Sequence, residues 1–106
     1  MLKMEETMWR QGDVLMEKVK ALPEGAALQS GRSTLFTGEI TGHAHRLEVP
    51  ENAELWECQG VLYMKVVAKT ANIVHEEHKP ITLPEGIYRV WRQREYTPQA
   101  IRDVMD

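Results

Sequence analysis

Apolar and polar positions alternate with a period of two along most of the chain, which is the pattern of half-buried β-strands. Residues 13–19, DVLMEKV, predict one strand. Residues 35–40 predict a second, in which Gly38 marks a bulge. Residues 55–58, then Gln59-Gly60, then 61–69 predict a hairpin whose apolar face carries Leu62, Met64, Val66 and Ala68. Residues 72–75 and 87–96 predict two more strands. Three similar motifs punctuate the pattern: Leu22-Pro23-Glu24-Gly25, Val49-Pro50-Glu51-Asn52 and Leu83-Pro84-Glu85-Gly86. Pro presets an early turn position and Gly or Asn tolerates the left-handed one, so all three read as turns.

No middle segment sustains a helical period, but the end of the chain does. Thr97 is an N-cap candidate, Pro98 suits the first helical position, and Ile101, Val104 and Met105 share a face. A short helix is expected over residues 97–105, as a lid on a barrel end or a surface for a partner. The first eight residues are expected to lie outside the fold. The fold class that follows is mainly β, a small single-domain β-barrel or sandwich over residues 1–106 with a short C-terminal helix. WRQ occurs at 9–11 and again at 91–93, but its order relative to LPEG is inverted, which excludes a tandem repeat.

Length and charge narrow the classes. A chain of 106 residues makes one domain and buries roughly two thirds of its unfolded surface. It does not need a metal or a disulfide merely to fold. The formal charge of −3 supplies no basic field for nucleic acid or an anionic membrane, so neither is expected as a partner. A single cysteine, Cys58, permits no internal disulfide and fits a reducing, cytoplasmic location. The start, MLKMEETMWRQGD, has no apolar run of the kind a signal peptide needs, and no stretch approaches the length of a membrane span.

The candidate chemistry lies in the histidines. All four fall in two clusters, TGHAHRLE at 41–48 and VHEEH at 74–78. On a strand, His43, His45, Leu47 and Val49 point one way while Ala44, Arg46 and Glu48 point the other. The first set should face the core, where two imidazoles are costly unless their nitrogens find partners. A shared metal ion satisfies both, and their spacing of roughly 6.6 Å lets two side chains converge on one ion. In the second cluster Ile73, His75 and Glu77 share a face. His75 is the best third ligand, with His78 and Glu77 competing for the fourth position.

Imidazoles with a carboxylate suit a divalent transition metal, zinc first, with iron, nickel or copper as alternatives. The interval between His75 and His78 is one residue too short for the helical HExxH motif, so a zincin is excluded. Glu77 could accept a proton from metal-bound water, whereas Glu76 reads as part of a solvated acidic turn. The ordinary alternative is that these are surface or carbonyl-satisfied histidines of a non-catalytic adaptor. A partner protein or a second copy would then meet the helix and the tryptophans Trp9, Trp56 and Trp91.

Residues 88–96 put Tyr88, Val90, Arg92, Arg94 and Tyr96 on one face. Arg92 and Arg94 beside Tyr96 form a candidate binding site for a small anionic ligand or substrate, with bidentate pairing and stacking. The simpler use of the arginines is to pair with glutamates along an edge strand and block edge-to-edge association. Cys58, at a hairpin tip away from both clusters, is a poor ligand and a poor nucleophile.

RQGDVL (10–15), TGHAHRLE (41–48) and HEEHKPITLPEGIYRVWRQREYTP (75–98) together resemble a family of small uncharacterised proteins of bacteria and their phages. The resemblance spans residues 10–98 and carries no known activity. A looser similarity of architecture is to cupins, β-barrels that commonly bind a metal through three His and one Glu. His43, His45 and Glu48 imitate their first motif, but Glu48 follows too soon and alternates to the wrong face. His75 and His78 precede the PxG-like turn that they should follow. The combined expectation is a metal-binding β-barrel, with metal-assisted hydrolysis if it is an enzyme.

Overall fold

The computed structural model describes residues 7–38 and 41–93. The predicted helix at 97–105, the residues Arg94 and Tyr96, and the end of the strand predicted at 35–40 lie outside the described residues.

The strands are β1 (Met8–Gln11), β2 (Val14–Val19), β3 (Ala27–Leu28), β4 (Thr34–Thr37), β5 (Ala44–Leu47), β6 (Ala53–Cys58), β7 (Val61–Val74) and β8 (Ile81–Arg92). They form one antiparallel sheet with the path β1-β2-β8-β7-β5-β4, and β6 joins it through β7 and carries β3. The sheet is mainly β architecture curled into a half-barrel. Alternation explains which side faces inward. Val14 and Met16 of β2, Ala53 and Leu55 of β6, and Tyr88 and Val90 of β8 are buried, with more exposed residues between them.

β7 corrects the two strands predicted at 61–69 and 72–75, which are one strand of 14 residues. Leu62, Met64 and Val66 are buried, and then the parity changes so that Ala71 and Ile73 are buried. The change follows from a bulge: the register against β8 shifts between Val66 and Thr70. β7 takes four steps where β8 takes two, and the buried parity changes on both strands, on β8 from Tyr88 and Val90 to Leu83. Ala68, expected on the apolar face, falls within this shift and is half-buried.

The same bulge corrects the third predicted turn. Leu83-Pro84-Glu85-Gly86 lies inside β8, not at a turn. The irregularity accommodates Pro84, which has no N–H to give to a ladder. The other two motifs do bend the chain: Ala26 N–H donates to the Pro23 carbonyl at 3.2 Å, and Pro50–Asn52 is a 3-10 turn.

Two further differences matter for the site. β8 lies between β2 and β7, so it is not the edge strand that its arginines suggested. β1 begins at Met8, one residue inside the tail expected to lie outside the fold, and pairs Trp9 with Met16. Trp9 then packs edge-on against Tyr88, with ring centroids 5.4 Å apart.

Tyr88 is fully buried, and burial pushes its phenol up to about 12. It therefore stays neutral and donates to the Pro84 carbonyl at 2.5 Å, which anchors the irregular part of β8. Tyr88→Phe is expected to cost about 1 kcal/mol, the net value of one hydrogen bond. Urea denaturation would show it as a lower midpoint with an unchanged slope.

Candidate functional site

β5 and β7 bring the two histidine clusters together. Leu47 pairs with Ile73 and Arg46 with Val74. One further step in the same antiparallel register sets His45 opposite His75. Their ring centroids are 4.3 Å apart. His75 and His78 are 4.6 Å apart, His43 and His75 5.8 Å, and His45 and His78 5.9 Å. All four histidines of the chain thus form one contiguous cluster.

The predicted alternation holds at its centre. His45 and Leu47 are buried, Arg46 is half-buried and Glu48 is exposed. Val49, expected inside, is 42% exposed because the chain leaves the strand for the 3-10 turn at Pro50. Glu48 accepts a hydrogen bond from Asn72 Nδ2 at 2.8 Å, on the face away from the histidines. That commits it to the sheet exterior and removes it from the cupin-like ligand set.

Each ring has a distinct environment. His45 meets Gln11, a residue that sequence reasoning missed. The Gln11 amide nitrogen donates to the carbonyls of Ile73 and Lys79, both at 2.9 Å. Its oxygen is therefore the acceptor left for His45 Nδ1, 2.8 Å away. Neutral His45 thus carries its proton on Nδ1 and a lone pair on Nε2. Burial, and then His75 nearby, lower its pKa to about 4. The tautomer matches that of metal-binding histidines, which donate their second N–H to a protein acceptor.

His75 is lowered as well, by burial and then by His78. Its Nδ1 accepts the backbone N–H of Glu77 at 3.0 Å. His43 Nδ1 is buried without a hydrogen-bond partner, and Glu77 Oε2 is 3.5 Å from it. His78 is exposed and lies against Gly12. Gly12 has φ +60°, and a Cβ there would come within 2.6 Å of His78 Nε2. A side chain at that position would be strained and would displace the ring.

Three more residues frame the cluster. Asp13 Oδ1 is 3.7 Å from His45 Nε2, and Asp13 Oδ2 is 3.5 Å from Arg92 Nε. Arg92, predicted as an anion-binding residue, therefore reaches the cluster through Asp13. It also donates to the Thr37 carbonyl at 3.5 Å and lies over the Phe36 ring.

Glu76 is exposed in the loop after β7, where a solvated acidic turn is expected, and it is also hydrogen-bonded. It accepts from Ala44 N–H at 3.0 Å and from Arg46 Nη1 at 3.0 Å, tying the VHEEH loop to β5. The Ala44 N–H, then its own backbone N–H, hold its carboxyl at about 2, with Arg46 adding to them. A depressed carboxyl stabilises the fold fully above its unfolded value near 4.5, and that contribution disappears as pH falls toward about 2. Glu76→Gln is expected to flatten the stability profile across this window and to speed amide exchange at Ala44. Hydrogen exchange in chelator-treated protein checks both.

Cys58 is away from the cluster, with its sulfur 3.7 Å from the Glu24 carbonyl. Among the described residues, no set of three or more His, Cys, Asp or Glu side chains is converged to hold a metal ion as placed. Among them too, no helix is long and apolar enough to cross a membrane. The signal that could have found Gln11 and Asp13 was RQGD, a turn sequence carrying a buried amide and a carboxylate beside a glycine.

Residues 10–93 match the model of a family described as a domain of unknown function, DUF8820. No curated protein and no solved structure matches the chain.

Proposed function

The chain belongs to the DUF8820 family of domains of unknown function, and from the site we propose that it binds one divalent transition metal, zinc foremost, through His43, His45, His75 and His78. The observation that carries this reading is the clustering of all four imidazoles from segments some thirty residues apart in sequence. The unpartnered Nδ1 of His43 and the Gln11-set tautomer of His45 support it.

The rings pack without converged donors, so binding requires them to rotate. His75 must present a lone pair in place of the Glu77 N–H contact, and His78 must turn from Gly12. Such rotations need no change of fold, because His75 and His78 both stand in the loop between β7 and β8.

In the catalytic form of this reading the reaction is metal-assisted hydrolysis of a small phosphate-containing substrate. A bound ion lowers the pKa of its water. Glu77 is 64% exposed beside His43, so its carboxylate is free to accept that proton. Arg92 supplies positive charge at the rim, with Arg94 and Tyr96 as its proposed companions for the anion. The competing reading is a non-catalytic adaptor in which the same rings are structural. Its favouring observation is that the rings stack and tilt against one another with no three donor atoms converged among the described residues.

Metal analysis and zinc titration of protein purified without a histidine tag decide the matter. The expected result is one equivalent of metal; less than about a tenth of an equivalent, with no uptake on titration, would sink the metal reading.

A further inference from the structure

We propose that Asp13 is a protein ligand of the same metal ion, through Oδ1 and opposite Nε2 of His45. The inference rests on the metal reading above and deepens it. It adds a carboxylate to the imidazoles and a third chain segment, the β1–β2 turn, to the site.

Gln11 supplies the first step. Both hydrogens of its amide are used on the Ile73 and Lys79 carbonyls, which leaves only its oxygen for His45 Nδ1. The side chain is 2% exposed and His45 5%, so these assignments are held by burial. Nε2 of neutral His45 is then an acceptor. The atom that faces it is Asp13 Oδ1, also an acceptor, at 3.7 Å. Two acceptors set against each other repel, and a cation shared between them makes the pair attractive.

The distance suits that use. Adjacent donor atoms on one five- or six-coordinate ion, as four imidazoles and a carboxylate require, lie roughly 3 Å apart, closer than the observed gap. Arg92 engages Oδ2 at 3.5 Å, which turns Oδ1 toward His45 and orients the carboxylate. Gly12, between Gln11 and Asp13, lacks the Cβ that would exclude His78 from this turn. Gln11, Gly12 and Asp13 therefore serve the histidine cluster in three different ways: one sets a tautomer, one admits a ring and one offers an oxygen. A carboxylate with imidazoles is a donor set for zinc or iron(II) rather than for thiolate-seeking ions.

Cobalt(II) added to the full chain is the probe, because its visible bands report the identity and number of its ligands. Wild type is expected to bind it. Asp13→Asn, which keeps the side-chain size, is expected to weaken binding by about tenfold to a hundredfold and to shift the visible bands. Asp13→Ser serves as a second variant, and far-UV circular dichroism verifies the fold of both. Wild-type binding with unchanged affinity and spectrum in both folded variants would overturn the Asp13 assignment while leaving the histidine site intact. In that case the carboxylate is only the ion-pair partner of Arg92. Wild type that takes up neither cobalt nor zinc would overturn both readings together.

Discussion

Replacing His45 with Ala should weaken zinc binding by about a hundredfold or more, since even residues outside the ligand shell contribute ten- to a hundredfold. His45 is the member of the cluster that the fold holds most firmly. It is buried, it sits on β5 in register with β7, and Gln11 sets its tautomer. A ligand whose orientation is fixed before the metal arrives contributes its full interaction without an ordering cost. Cys58→Ser is the control, because Cys58 is on the β6–β7 hairpin beside Glu24, and it should leave zinc binding unchanged. Calorimetric titration with a competing chelator measures both variants, and folded His45→Ala protein with wild-type affinity would remove His45 from the site.

Gln11→Leu should destabilise the protein by about 3 kcal/mol even without metal, several times the effect of an ordinary surface change. The reason is the number of groups that one amide serves. It satisfies the Ile73 and Lys79 carbonyls and His45 Nδ1–H, joining the end of β1 to β5, β7 and the loop before β8. Leucine fills similar space but leaves three polar groups without this partner. Gln11→Glu discriminates further: it keeps an acceptor for His45 but points a carboxylate at two carbonyls, so it should also destabilise at neutral pH. Urea denaturation of both variants in chelator gives the numbers. A loss below about 0.5 kcal/mol for Gln11→Leu would show that water replaces the amide.

The inward face of TGHAHRLE could be read from alternation, because His45 and Leu47 obey a local rule of strand geometry. Ala71 and Ile73 follow the same rule on β7, and His75 lies one residue past its end, half-buried. The mainly β class could be read likewise, from repeated period-two segments. What alternation does not encode is long-range. The parity change in β7 and the placement of Leu83-Pro84-Glu85-Gly86 inside β8 depend on one shared bulge, which neither segment announces alone. Gln11 looked like a polar residue before a turn, and only the curl of the sheet gives it two carbonyls and an imidazole. The partners of exposed Glu76 were hidden for the same reason: Ala44 and Arg46 are some thirty residues away. Arg92 was on the predicted face with Tyr88 and Val90, yet its connection to the histidines passes through Asp13, a residue assigned no role from sequence.

The most direct test of the shared metal site is the long-range proton–nitrogen spectrum of the imidazoles, recorded before and after one equivalent of zinc. Before zinc, His45 should show the tautomer protonated on Nδ1. After zinc, the ring nitrogens of His43, His45, His75 and His78 should shift together at one-to-one stoichiometry, with the His45 proton still on Nδ1. Four imidazoles unchanged at several equivalents of zinc would contradict the account.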